Sequence, residues 1–133
     1  MIVEDLLNDI ELSKQCDYQL VLATKTVNGK RIDEPGAQLR TVGAIELDDS
    51  DNELKFVPNY MPSEEGSIAI ATVLDLNNIL RDSHKAHIVF GVDRRKELPD
   101  GSKASLNMPL VGTYFDDEDQ EVWLLQGPIE QWS

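Results

Sequence analysis

The densest chemistry lies in residues 46–53, ELDDSDNE, where Glu46, Asp48, Asp49, Asp51 and Glu53 put five carboxylates into eight positions. Asp49, Asp51 and Glu53 alternate, as the early ligands of a calcium loop do. An EF-hand loop also needs glycine at its sixth position and glutamate at its twelfth. Counted from Asp49 these are Leu54 and Tyr60, and counted from Asp117 in the later acidic run they are Val122 and Pro128, so neither run meets the motif. Asp49/Asp51 and Asp117/Asp119 have the Asp-x-Asp spacing that can hold a divalent ion beside a nucleotide sugar, but no nucleotide-binding loop accompanies them. Asp, Ser and Asn also suit tight turns, and charge at a hairpin tip guards strand edges against aggregation. The expectation is two solvated hairpin tips. Their functional option is contact with a cation or a basic partner through Asp48, Asp49, Asp51, Asp116, Asp117 and Asp119.

Other reactive residues are sparse. His84 and His87 stand three apart at a helix-to-strand junction, outside any zinc-protease or Cys/His spacing, which favours a structural or surface role over metal or acid–base chemistry. Asp93-Arg94-Arg95-Lys96 is the only basic run, and it reads as a solvated strand end. Cys16 is the sole cysteine, so no internal disulfide exists. There is no dinucleotide or phosphate loop, no serine-nucleophile elbow and no Ser-x-x-Lys. No catalytic constellation can be assembled, and no cofactor or metal is expected.

These residues need a frame. Val3, Leu6, Leu7 and Ile10 follow helical spacing over residues 2–14. Residues 18–26 alternate as a strand, followed by Asn28-Gly29 and Asp33-Glu34-Pro35-Gly36 as turn chemistry. Strands are expected over 38–47, with Leu39, Thr41, Gly43, Ile45 and Leu47 on one face, and over 53–57. A helix begins between 64 and 72, announced by Pro62-Ser63-Glu64-Glu65 or by Thr72-x-x-Asp75, and ends near Asp82; residues 67–72 could equally be strand. Further strands are expected over 86–93, 104–115 and 121–126, with an irregular tail carrying Trp132.

The acidic run occurs twice in the same context. Residues 46–57 and 114–125 align without gaps at an offset of 68, placing Asp48, Asp49, Asp51 and Glu53 on Asp116, Asp117, Asp119 and Glu121. Val42-Gly43 and Val111-Gly112 precede the copies, residues 18–23 fall on 86–91, and Leu7–Ile10 falls on Leu76–Ile79 at 69. The reading is an α+β fold: a single domain over 1–133 built as a tandem αβββ repeat (1–62 and 63–133), with about six mainly antiparallel strands and two helices. The strands form one continuous sheet or two facing sheets. One face carries Leu20, Leu22, Ile45, Leu54 and Phe56, or Ile88, Phe90, Tyr114, Val122 and Leu124. The opposite parity carries Val21, Val42, Val57, Val89, Val111, Trp123 and Leu125, more apolar surface than a solvated face holds. Either facing units or a partner must cover it, and Trp123 is a candidate contact.

The chain has 133 residues, 41% of them apolar, and a net charge of −13, distributed as −8 and −5 between its halves. Such a charge repels phosphate backbones and favours a basic partner. No segment resembles a signal peptide or a membrane span, which points to the cytoplasm. In size, acidity and element order the chain is loosely similar to secretion chaperones and some immunity proteins. The expected function is a small acidic interaction protein of inhibitor, immunity or chaperone type, binding a protein partner through the apolar face or the acidic turns, with a homodimer admitted. The alternatives are a small-molecule module with its site between the repeats and, behind it, a metal-dependent enzyme.

Overall fold

A computed structural model describes residues 1–25, 37–61, 65–80 and 84–127. The expected turns at Asn28-Gly29 and Asp33–Gly36, the helix start at Pro62-Ser63, the helix end near Asp82 and the tail with Trp132 lie outside these residues. Helix α1 (Val3–Asp9) and the single turn α2 (Leu12–Gln15) lead into β1 (Gln19–Lys25), β2 (Ala37–Asp48) and β3 (Glu53–Pro58). A two-residue strand β4 (Ile68–Ala69) and helix α3 (Val73–Ile79) follow, then β5 (Ile88–Glu97), β6 (Lys103–Asp116) and β7 (Glu121–Gln126). The fold is mixed α+β with a seven-stranded, mostly antiparallel sheet. The seventh strand, β4, falls in the stretch where the sequence left helix and strand open. Among the described residues no helix is long and apolar enough to cross a membrane.

The helices are shorter than their periodicity suggested. Ile10 takes an extended conformation and separates α1 from α2. Thr72 starts α3: its Oγ1 accepts from the Asp75 amide at 3.4 Å, while Asp75 Oδ2 accepts from the amides of Ala71 and Thr72 at 2.9 and 3.1 Å. Both strands of this reciprocal cap satisfy donors that a helix start leaves without partners.

The strand pairings close on themselves. β1, β7, β6, β5, β3 and β2 follow one another, and β2 also pairs with β1, so the six longer strands form a ring. Four of its pairings are antiparallel; β1–β7 and β3–β5 are parallel. The two longest strands make the corners. β2 pairs with β1 through residues 37–41 and with β3 through residues 42–48, shifting register between Val42 and Ala44. β6 does the same between β5 and β7, shifting between Leu110 and Gly112. Bulges bend a strand and let it leave one sheet for another.

These shifts change which side chains face inward. Each bulge reverses parity along its strand, so Val42 and Ile45 are both buried while Leu39 is exposed. The face expected from Leu39 through Leu47 is therefore not one face. The second expected core set is corrected as well: Ile88 and Tyr114 are exposed, and Val89 and Leu110 are buried instead. A one-residue change in register turns every side chain of a strand over. Leu20, Leu22, Ile45, Leu54, Phe56, Val122 and Leu124 are buried as expected, in one cluster that also receives Val3, Leu6, Val73 and Leu76 from the helices.

The apolar surplus on the opposite parity is largely covered from within. Val21, Val42, Val57, Val89 and Leu125 are all buried, Val42 and Val89 in the main cluster and Val57 in a small one with Ala44 and Val92. Ring closure, not an outside partner, hides most of that surface.

Candidate functional site

The β2–β3 and β6–β7 turns share a backbone design. Asp48 Oδ1 accepts from Ser50 Oγ at 2.8 Å and from the Asp51 amide at 3.1 Å; Asp116 Oδ1 accepts from the Asp119 amide at 3.1 Å. The Ser50 hydroxyl, helped by that amide, holds the Asp48 carboxyl below its ordinary range. The turns end at Asn52 and Gln120, with φ of 54° and 55°. Asp48, Asp51 and Glu53 cluster in one turn and Asp116, Asp119 and Glu121 in the other. Because the clusters repeat and their leading carboxylates are engaged by the turn backbone, they are turn architecture first.

The second aspartate of each turn reaches outward to another element. Asp117 accepts a hydrogen bond from the Tyr18 hydroxyl at 2.6 Å. That bond holds the phenol proton and raises the Tyr18 pKa. Asp49 instead meets two imidazoles. His87 Nε2 lies 2.9 Å from Asp49 Oδ1, and His84 Nε2 lies 3.6 Å from the same oxygen. The rings meet edge to face, with centroids 5.0 Å apart. His87 precedes β5 and is 4% exposed. Its backbone carbonyl accepts from the Val3 amide at 2.9 Å, as the Tyr18 carbonyl accepts from the Val73 amide at 3.0 Å. The parallel β3–β5 pairing delivers the contact: Glu53 lies opposite Ile88, setting the turn beside the start of β5.

An acidic cleft of about 360 Å³ opens along the same hairpin, lined by Glu46, Asp48, Asp49, Ser50 and Lys55 and, beyond them, by Glu65-Gly66-Ser67. Lys55 is drawn toward Glu53 at 3.7 Å, and Glu46 is held by Arg95 at 2.6 Å. Asp48, Asp49 and Glu65 leave the cleft negative.

The remaining sequence candidates separate cleanly. Asp51 and Asp119 are exposed at the turn tips. Trp123 lies on the outer side of β7, half-buried against Tyr114 with ring centroids 5.2 Å apart, and its Nε1 donates to Glu121 Oε1 at 3.3 Å. In the basic run, Asp93 accepts from Arg40 at 3.3 Å and Arg95 donates to Glu46, so both serve contacts within the chain. Sequence reasoning considered Asp49 and the two histidines but not their meeting, and it missed Tyr18 and Glu65. The signal lay in the offset: taking residues 15–20 onto 84–89 at 69, one more than the acidic turns, would have put His87 on Tyr18.

Comparison with protein-family models, with curated proteins and with solved structures finds no match for this chain.

Proposed function

We propose that this chain is a small acidic binding protein that takes a Lys- or Arg-bearing segment of a protein partner against the β2–β3 hairpin. One observation carries the reading: the 360 Å³ cleft, in which Asp48, Asp49 and Glu65 outweigh Lys55. That volume lies within the range of about 300–1,000 Å³ found for ligand pockets. The net charge of −13 adds long-range attraction for a basic partner and disfavours nucleic acid. The reading rests on the acidic hairpin rather than on the apolar sheet face, of which Val21, Val42, Val57, Val89 and Leu125 are buried. A cytoplasmic setting accords with the single cysteine.

We further infer that the frame arose by tandem duplication of an αβββ unit. Supporting this, β3 and β7 begin 68 residues apart, the bulges at Val42/Ala44 and Leu110/Gly112 are 68 apart, and α1 and α3 begin 70 apart. On this reading the acidic cleft is where the halves diverged.

Fluorescence anisotropy with labelled Lys/Arg-rich, neutral and acidic peptides of equal length tests the proposal. Basic peptides are expected to bind most tightly, to weaken with salt, and to weaken several-fold against Glu65→Lys. Binding indifferent to peptide charge, or unmoved by Glu65→Lys, rejects it. The second reading, a small-molecule site between the halves, rests on an apolar pocket of about 190 Å³ lined by Leu7, Ile10, Leu12, Val73, Leu76 and Asn77. It falls below the usual ligand-pocket range and ranks behind the cleft.

A further inference from the structure

The two turn-to-strand contacts sit at corresponding places but are built from different chemistry. Tyr18 and His87 are 69 residues apart, as are Gln15 and His84, and Asp49 and Asp117 are 68 apart. In the first arrangement one hydroxyl answers Asp117, and Gln15 turns away to accept the Glu11 amide with its Oε1 at 2.8 Å. That suffices to pin a turn to a strand. In the second, two imidazoles converge on one carboxylate, and His84 Nδ1 is buried without a hydrogen-bond partner. Pinning the turn needs only His87. His84 adds a second imidazole whose Nε2 faces the same carboxylate oxygen.

We propose that Asp49, His84 and His87 form a binding site for a divalent transition-metal ion of the zinc kind. One ligand atom from each of the three lies within 4.8 Å of the others. Zinc bonds to nitrogen and oxygen of about 2.0–2.2 Å place tetrahedral ligands roughly 3.3 Å apart. The distances of 2.9 and 3.6 Å from Asp49 Oδ1 to the two Nε2 atoms bracket that spacing. Two neutral imidazoles favour zinc, cobalt, nickel or copper over magnesium and calcium, which prefer all-oxygen sites. His87 is held by β5 and by its backbone bond to Val3, so one ligand is fixed before metal arrives. The Asp49 side chain is 74% exposed, which leaves the ion a solvent-facing fourth position. The site shares Asp49 with the cleft but takes neither histidine from its lining, so Glu65→Lys perturbs the cleft alone and His84→Gln/His87→Tyr the ion site alone.

The test uses the full, tag-free chain titrated with Co²⁺ and Zn²⁺, read by visible absorption, calorimetry and thermal unfolding. One equivalent is expected to bind, with cobalt bands of a four-coordinate site and a raised unfolding midpoint, while Mg²⁺ produces neither. The double variant His84→Gln/His87→Tyr rebuilds the Gln15/Tyr18 arrangement and is expected to fold and to bind at least roughly tenfold more weakly. Asp49→Asn alters an exposed side chain and is expected to weaken binding likewise, which keeps the test decisive should the double variant not fold. Tyr18→Phe is expected to leave metal binding unchanged. Absence of stoichiometric binding to the wild type, or retention of its affinity in Asp49→Asn, overturns the proposal.

Discussion

Individual carboxylates do different work in this chain, and environment separates them. Asp75 is a helix-start acceptor whose pKa is lowered chiefly by the Ala71 amide and then by that of Thr72. Its folded pKa therefore lies below the unfolded value of about 3.9. The stabilisation it gives is complete above that value and is lost as pH falls through the folded pKa. Asp75→Asn is expected to cost on the order of 1 kcal/mol at pH 6, the usual scale of a helix cap. The difference from wild type should shrink as pH falls below the unfolded value, measured by denaturant unfolding across a series of acidic pH values. Asp48 is lowered by a different cause, the Ser50 hydroxyl within its own turn. Asp49 instead lies against the His87 and His84 imidazoles, at 2.9 and 3.6 Å.

At the scale of elements, the bulges decide the core. Gly43 sits inside the β2 register shift, where an added Cβ would come 2.6 Å from Asn59 Cα. Backbone cannot swing aside as a side chain can, so Gly43→Ala is expected to destabilise by about 1–3 kcal/mol. Gly112 stands where the first bulge has Ala44, and a Cβ there meets only Leu125 Cδ1 at 3.6 Å. Gly112→Ala should be tolerated within about 0.5 kcal/mol. Thermal unfolding of the two variants compares them directly. The contrast also shows how far the sequence could be read. The Val-Gly pairs at 42–43 and 111–112 look equivalent as letters, yet Gly43 corresponds in the sheet to Val111. Element order, the Thr72 cap and the core residues of β3 and β7 were legible because alternation and cap chemistry are local. The faces of β2, β5 and β6 were not, because a bulge or a one-residue offset reverses parity without marking the composition. The Asp49–histidine cluster stayed hidden for a related reason: a parallel pairing between β3 and β5 joins residues 35 and 38 apart, and no local pattern announces it.

Across the whole molecule, the halves are interleaved. The first helix starts beside β5, where the Val3 amide meets His87, and α3 starts beside β1, where the Val73 amide meets Tyr18. The parallel ladders β1–β7 and β3–β5 each join one half to the other. Two acidic turns of similar backbone design thus sit at the β2–β3 and β6–β7 hairpins, and the proposed partner binding involves only the first. Titration of the isotopically labelled chain with a Lys/Arg-rich peptide, followed by amide chemical shifts, tests that asymmetry. Shifts are expected at residues 48–51 and 65–67, with residues 117–120 unmoved; equal shifts at both turns, or none at the cleft, would contradict it.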